Sequence, residues 1–281
     1  MRFVTRFAPS PTGYLHLGHA LSVLTAFDAA RAAGGRFLLR VEDIDQGRSR
    51  PEFEAAIYED LAWLGIAWES PVRRQSEHMA AYAGALESLI DRQLVYRCFR
   101  TRREIAEAIA SAPHGVSEDM FGGEALPAEE EAARIAAGES FAWRLSLRKA
   151  RSFLGPAYFS LVFEDDAGPI RAEPGRHGDV VLARKDFPTS YHLASVWDDA
   201  LQGVTHVIRG EDLRDAAHLH VLLQKLLNLP QPIYRHHRLI LGEDGKRLAK
   251  RDRSATLRAL RESGATPGDV RAMLGMNAPQ G

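Results

Sequence analysis

Cysteine is almost missing from this sequence: Cys98 stands alone among 281 residues. A single thiol forms no intramolecular disulfide, and it excludes a zinc site built on several thiolates. Zinc is therefore expected to be absent, and Cys98 to be a buried, inert residue. Long apolar runs are missing too. No stretch approaches the roughly 20 residues of a membrane-spanning helix, and the opening MRFVTRFAPSPTG has no continuous apolar segment leading to a small-residue cleavage site. No membrane partner is expected, and the expected location is cytoplasmic. An excess of one charge sign is also lacking: 36 Lys and Arg face 37 Asp and Glu, a formal net charge of -1. That balance argues against the uniformly basic surface of a non-specific nucleic-acid binder, so any contact with RNA must be local.

What is present is 45% hydrophobic and 26% charged residues, enough for one large core or two smaller ones. Phe3 to Phe7 alternates apolar and polar residues like a short strand, which Pro9-Ser10-Pro11-Thr12-Gly13 breaks. Ala and Leu at helical spacing predict a helix from Leu17 to Arg31, stopped by Gly34-Gly35 before an apolar strand at Phe37 to Leu39. Strand, helix, strand in that order implies a parallel sheet. Helices are predicted over Pro51 to Leu64 and about His78 to Arg92, both packing on the sheet. Between about Pro113 and Ser140 the composition turns to Gly, Pro, Ala and Glu, and strands return at Phe141 to Leu147 and Phe159 to Phe163. The α/β alternation resumes with a strand at Asp179 to Leu182 and a helix around Tyr191 to Asp199. A strand at Thr205 to Ile208 and a helix from about Ala216 to Leu227 follow, with a last strand at Leu239 to Leu241.

The fold class is accordingly α/β: a Rossmann-like parallel sheet split by an inserted α+β subdomain, with a short helical C-terminal segment. The expected boundaries are 1–95 and 179–237 for the two halves of the α/β domain, 96–178 for the insertion, and 238–281 for the remainder, with no further domain expected.

Two segments suggest chemistry. His16-Leu17-Gly18-His19 sits where a Pro/Gly-rich loop enters a helix, a position whose backbone N–H groups and dipole suit a phosphate. Gly18 would let a nucleotide approach the backbone, and the two imidazoles share one helix face, where they could donate to charge developing on an α-phosphate. The alternative is a pair of surface histidines; metal ligation is weaker, since no third ligand is near. The second segment, Gly245 to Asp252, groups Lys246, Arg247, Lys250 and Arg251 after a turn, where cations could clamp the β- and γ-phosphates as pyrophosphate leaves. A charged turn is equally a common solvated feature.

Both segments resemble one family. Phe7 to Gly13 with His16-Leu17-Gly18-His19 is similar to the first signature of class I glutamyl-tRNA synthetases, the HIGH motif, and Arg247-Leu248-Ala249-Lys250-Arg251 stands where their second signature, KMSKS, would be. Val41 to Asp45, Tyr191 with Trp197-Asp198-Asp199, and Val207 to Asp212 look like further segments of that family, so the resemblance covers nearly the whole chain. It implies ATP and Mg²⁺ as cofactors, His16, His19 and Lys250 as catalytic groups, and Pro9, His16, Gly18, His19, Arg247, Leu248 and Lys250 around ATP. It places Arg6, Phe7, Ala8, Pro9, Ser10, Glu42, Tyr191 and Arg209 around L-glutamate; no metal-ligating residues are implied. The residues agree with that ligand, since glutamate's two carboxylates and one ammonium need about two cationic groups and one anion, which Arg6, Arg209 and Glu42 supply. Glu42 and Arg209 could instead pair with each other, and Tyr191 could be core.

The resemblance implies attack of the glutamate α-carboxylate on the α-phosphate of ATP without need of tRNA, then transfer to an RNA hydroxyl. Full-length members continue well beyond the second signature, whereas here about thirty residues follow Arg251. A short branch with this layout loads glutamate onto the queuosine base of a tRNA(Asp) anticodon and is usually monomeric; that acceptor and that state are expected here. The alternatives are a truncated glutamyl-tRNA synthetase charging the tRNA 3′ end and a non-catalytic RNA- or nucleotide-binding paralogue. Arg247 and Ala249 replace the lysine and serine of the second signature, which removes one hydroxyl contact to phosphate.

Overall fold

Val4–Phe7 forms strand β1, and all four residues are buried, as in a strand covered on both faces. The computed structural model describes residues 2–101, 103–105, 122–166, 168–184, 188–240 and 256–276. Helix α1, Leu17–Ala32, follows β1. The chain then turns back through Gly34, at φ +57°, and Gly35, where a Cβ would meet the Phe3 carbonyl oxygen at 2.5 Å. Only glycine permits that approach, and it delivers strand β2, Arg36–Val41, parallel to β1 with Val4 opposite Arg36 and Phe7 opposite Leu39. Helix α2, Pro51–Trp63, starts on a proline and carries Glu52 and Glu54 in its first turn, which suits its N-terminus. Strand β3, Glu69–Arg74, pairs parallel with β2, and helix α3, Met79–Asp91, follows.

Next come β4 (Val95–Cys98), α4 (Ala128–Ala136), β5 (Ala142–Leu145), α5 (Leu147–Leu154), the single turn α6 (Pro156–Phe159), and a hairpin of β6 (Val162–Asp165) and β7 (Gly168–Arg171). Strand β8, Val181–Arg184, joins β4 and β5 in an antiparallel sheet of order β4-β5-β8. The chain finishes with α7 (Tyr191–Leu201), β9 (His206–Gly210), α8 (Ala216–Leu227), β10 (Ile233–His237) parallel to β9, α9 (Leu257–Glu262) and α10 (Pro267–Met273). Among the described residues, no helix is long and apolar enough to cross a membrane.

Strand β9 lies beside β1, where Thr205 N–H donates to the Val4 carbonyl at 2.9 Å. The parallel layer therefore reads β3-β2-β1-β9-β10, and the order reverses between β1 and β9. Alternation along these strands sends residues to two different cores. Phe7, Leu39 and Ile208 face a cluster with Leu24, Ile57, Leu257 and Val270, from α1, α2, α9 and α10. Val4, Leu38 and Val207 face Leu86, Leu193 and Leu222, from α3, α7 and α8. The same period of two puts Arg6, Arg40 and Arg209 on the α7–α8 face, toward the carboxyl ends of their strands.

The parallel α/β layer split by an insertion is as the sequence suggests, with local differences. Asp179 to Leu182 was expected to resume the parallel sheet; the strand found there is β8, antiparallel to β5 within the inserted sheet. Phe159 closes α6, so the strand expected from Phe159 begins only at Val162. No strand includes Leu239 or Ile240; the strand lies earlier, at Ile233–His237, and Leu241 is outside the described residues.

Candidate active site

The loop after β1 caps α1 in an unusual way. His16 is the N-cap: its Nδ1 accepts the Gly18 N–H at 3.1 Å, while the His16 N–H donates to His19 Nδ1 at 3.2 Å. The ring centroids lie 3.9 Å apart with their planes tilted by 37°. Two consequences follow. The Gly18 N–H, expected to be open for a phosphate, is taken by the cap. Each imidazole, accepting at Nδ1, carries its proton on Nε2 and is a neutral Nε2–H donor. Glycine at 18 serves this cap, since a Cβ there would lie 2.9 Å from the His16 ring. The loop is tied to the neighbouring strand where Glu42 N–H donates to the Pro9 carbonyl at 3.0 Å, and Arg50 N–H donates to the Pro11 carbonyl. Phe7 and Pro9 are buried, Ala8 half-buried and Ser10 exposed at this rim.

Lys250, Arg247 and Leu248 lie outside the described residues. The residues that follow them are in place: Thr256 forms an antiparallel bridge with His16, and Leu257 N–H donates to the Leu15 carbonyl at 2.8 Å. On the preceding side, Ile240 packs against the cluster that holds Phe7 and Leu15. The described residues on either side of that segment, Ile240 and Thr256, thus both lie beside the first signature.

On the α7–α8 face the strand arginines meet buried acids. Arg6 Nε donates to Asp199 at 2.9 Å; Arg40, fully buried, donates to Asp199 at 2.8 Å and Glu42 at 3.1 Å; and Arg73 donates to Asp198 at 2.8 Å. Gln75 and Tyr82 also donate to Asp198, at 3.0 and 2.8 Å. Three cations and three carboxylates thus cancel. Burial opposes the charge on Arg40, but Asp199, Glu42 and Asp198 outweigh it and keep the guanidinium firmly protonated. Burial likewise opposes ionisation of Asp199, and Arg6 and Arg40 overcome it, holding its carboxyl below the usual range. At Glu42 burial prevails: the carboxyl is raised, with Arg40 and Arg6 offsetting only part of it.

Arg209 is different. It is 4% exposed and forms no ion pair among the described residues. Its Nε donates to His236 Nε2 at 3.2 Å, Nη1 lies 3.5 Å from the Tyr191 hydroxyl and 3.4 Å from His220 Nδ1, and Nη2 has no partner. Glu42 pairs with Arg40 rather than with Arg209, and Tyr191, half-buried at the start of α7, turns its hydroxyl to Arg209. A buried cation touched only by neutral groups, next to a network already neutral, is chemically suited to receive one anion.

Burial disfavours the protonated form of six histidines, and Arg209 reinforces it at His192, His220 and His236. His192 is brought down to about 4 by burial, then by His177 and Arg209; His220 falls well below its ordinary value, and His206, His218, His236 and His237 are lowered as well. Lowered values in the folded state mean that the unfolded chain binds more protons below about pH 6.5, so stability is full above that pH and is lost as pH falls toward 4. His192 alone accounts for on the order of 3 kcal/mol. Asp60, raised to about 6 by burial, and Glu42 act in the opposite sense and offset part of it. The expected result is a thermal midpoint that drops between pH 7 and pH 5; an unchanged midpoint would contradict neutral buried histidines.

His16, Glu42, Tyr191 and Arg209 thus gather at the carboxyl ends of β1, β2 and β9, where strand order reverses and α/β sheets bind their ligands. Residues 2–276 match the family described as "tRNA synthetases class I (E and Q), catalytic domain". The chain belongs to this family of class I, ATP-using tRNA synthetases. It is 49% identical to the glutamyl-Q tRNA(Asp) synthetase of Rhodobacter capsulatus, over 97% of this chain and 100% of the relative. It is 43% identical to the protein of the same name from Symbiobacterium thermophilum, over 94% of this chain and 83% of the relative. Among solved structures, a glutamate tRNA ligase from Elizabethkingia meningosepticum in complex with its amino acid superposes with a TM-score of 0.72 at 30% identity, covering 90% of this chain. The chain spans about half of that ligase, 52% of its length.

Sequence reasoning named Arg6, Glu42, Tyr191 and Arg209 as candidates but not Arg40, His220 or His236, which the structure places in contact with them. A signal existed for Arg40, a charge inside the apolar run Phe37-Leu38-Leu39-Arg40-Val41, and for Asp198-Asp199 on an otherwise apolar helix. Nothing local marks His220 or His236 as partners of Arg209.

Proposed function

We propose that this chain activates L-glutamate with ATP, without RNA, and transfers the glutamyl group to the queuosine base in the anticodon of tRNA(Asp). The observation that carries the first half is the charge count at Arg209. Zwitterionic glutamate has a net charge of about -1 at neutral pH. The described pocket offers one uncompensated guanidinium beside a balanced set of ion pairs. Arg209 and the Tyr191 hydroxyl would hold one carboxylate, Glu42 would face the ammonium, and the loop Arg6 to Ser10 would line the remaining wall.

In the reaction, an α-carboxylate oxygen attacks the α-phosphorus of MgATP, the bond from that phosphorus to the β-bridging oxygen breaks, and pyrophosphate leaves. His16 and His19 would donate from Nε2 to the α-phosphate as charge develops, with Lys250 and Arg247 at the leaving pyrophosphate. Pro9, Gly18 and Leu248 would line the nucleotide. An RNA hydroxyl then attacks the acyl carbon and AMP departs. Zinc has no part in this reading, because the sequence carries one cysteine. The chain is proposed to act as a cytoplasmic monomer.

The relatives from Rhodobacter and Symbiobacterium, named for Q tRNA(Asp), support the acceptor. Acylation of tRNA(Asp) with and without queuosine, followed by location of the ester, tests it. The expected product carries glutamate on the modified base only; an ester on the terminal ribose of tRNA(Glu) would contradict it.

A further inference from the structure

Arg209 is held by histidines on two sides, and the geometry fixes their protonation. A guanidinium only donates, so His236 Nε2, 3.2 Å from Arg209 Nε, is an acceptor and the ring's proton sits on Nδ1. That Nδ1 lies 3.1 Å from Asp165 Oδ2, to which it donates. Asp165 ends β6 of the inserted hairpin, which packs against β10, and it is also paired with Arg214. On the other side, His220 Nδ1 accepts from Arg209 Nη1, so His220 Nε2–H donates to His192 Nδ1 at 3.1 Å. Both rings that touch Arg209 are therefore neutral acceptors with a fixed tautomer. On the His236 side, the Asp165 carboxylate stands one imidazole away from Arg209.

That spacing has a chemical consequence. An acid in direct contact would orient the guanidinium equally well but would cancel the charge needed to favour a carboxylate over a carboxamide. A neutral imidazole orients it and leaves the charge intact. We infer that His236, fixed by Asp165 of the insertion, and His220, fixed against His192, form a neutral clamp that positions Arg209 without discharging it, and so determine selection of glutamate's carboxylate over glutamine's amide. These are positioning residues, and the inference rests on the glutamate pocket proposed above.

Glutamine and glutamate at position 236 are nearly isosteric and both present an acceptor oxygen, so they differ in charge alone. In ATP–pyrophosphate exchange, H236Q is expected to keep the KM for glutamate within about threefold of the parent, whereas H236E raises it at least tenfold. In H236E, kcat and the KM for ATP stay within about threefold, and the preference for glutamate over glutamine narrows. Should H236E fail to fold by thermal melting, H236F against H236Q reads the acceptor, with a KM rise of about tenfold expected in H236F alone. Equal behaviour of the paired variants, whether both normal or both impaired, overturns the clamp and leaves the pocket standing. A parent enzyme that exchanges with glutamate, together with an unchanged KM in Arg209→Leu, refutes the pocket itself and the clamp with it. No glutamate-dependent exchange by the parent does the same.

Discussion

Arg209→Leu lowers kcat/KM for glutamate in pyrophosphate exchange by about a hundredfold or more, yet does not lower the thermal midpoint. The two halves of this result come from one fact. Loss of one partner of a buried charge pair costs about 2–5 kcal/mol of binding, and with glutamate bound Arg209 would be such a partner. Without ligand it has no acid among the described residues; its neighbours there are the neutral His236, His220 and Tyr191 and the ring of Tyr234, and Nη2 is unsatisfied. Replacing it by leucine removes a desolvated cation and strands no carboxylate. The folded enzyme carries this cost for the sake of its ligand, as binding sites commonly do. A variant that lost its midpoint together with its activity would show a structural arginine instead. Kinetics with glutamate and a thermal scan of the same preparation separate the cases.

Arg40→Met is the reverse experiment and has the second large effect. Arg40 is fully buried and touches Asp199, Glu42 and Asp198, so its loss leaves the network with an excess of carboxylate in a dry interior. Breaking a buried pair from one side typically costs about 3–5 kcal/mol. For a chain of this size that corresponds to a fall in midpoint on the order of 10 °C. The fall should be smaller at low pH, where protonation of the acids, Glu42 first because burial already raises it, relieves the excess. A midpoint within a degree or two of the parent at neutral pH would mean that Arg6 and Arg73 neutralise the acids unaided.

The contrast between these two arginines also shows what a sequence can and cannot reveal. Both sit near the ends of apolar strands and look alike in one dimension. Periodicity and turn residues were enough to place α1, α2, α3, α7 and α8 within a residue or two, because each has an uninterrupted apolar face and a clear stop. They failed at β3, where Glu69-Ser70-Pro71-Val72-Arg73-Arg74 has no alternation and is held by pairing to β2 and by the Arg36–Glu69 ion pair at 2.9 Å. They failed at β10 too, since Ile233-Tyr234-Arg235-His236-His237 is rich in polar groups, and the partners of Arg235 and His236, Asp166 and Asp165, lie 69 and 71 residues away along the chain. β8 was legible as a strand but not as a member of the inserted sheet, because a short apolar run states nothing about its neighbour. The signatures made His16, His19, Glu42 and Arg209 candidates. That Arg40 is held by Asp199, while Arg209 meets His236 and no acid among the described residues, depends on tertiary contacts 159 and 27 residues apart.

The proposed function rests on one imbalance: Arg209 is a buried guanidinium with no acid partner among the described residues, near the reversal of strand order, on the sheet whose strand β1 leads to the two imidazoles at the start of α1. Glutamate-dependent exchange of labelled pyrophosphate into ATP, assayed with no RNA present, probes that imbalance most directly. The account predicts exchange that saturates with L-glutamate and is at least about a hundredfold weaker in kcat/KM with L-glutamine, in keeping with the penalty for leaving a buried charge unpaired. Exchange that ran equally well with glutamine, or that appeared only on adding tRNA, would contradict it.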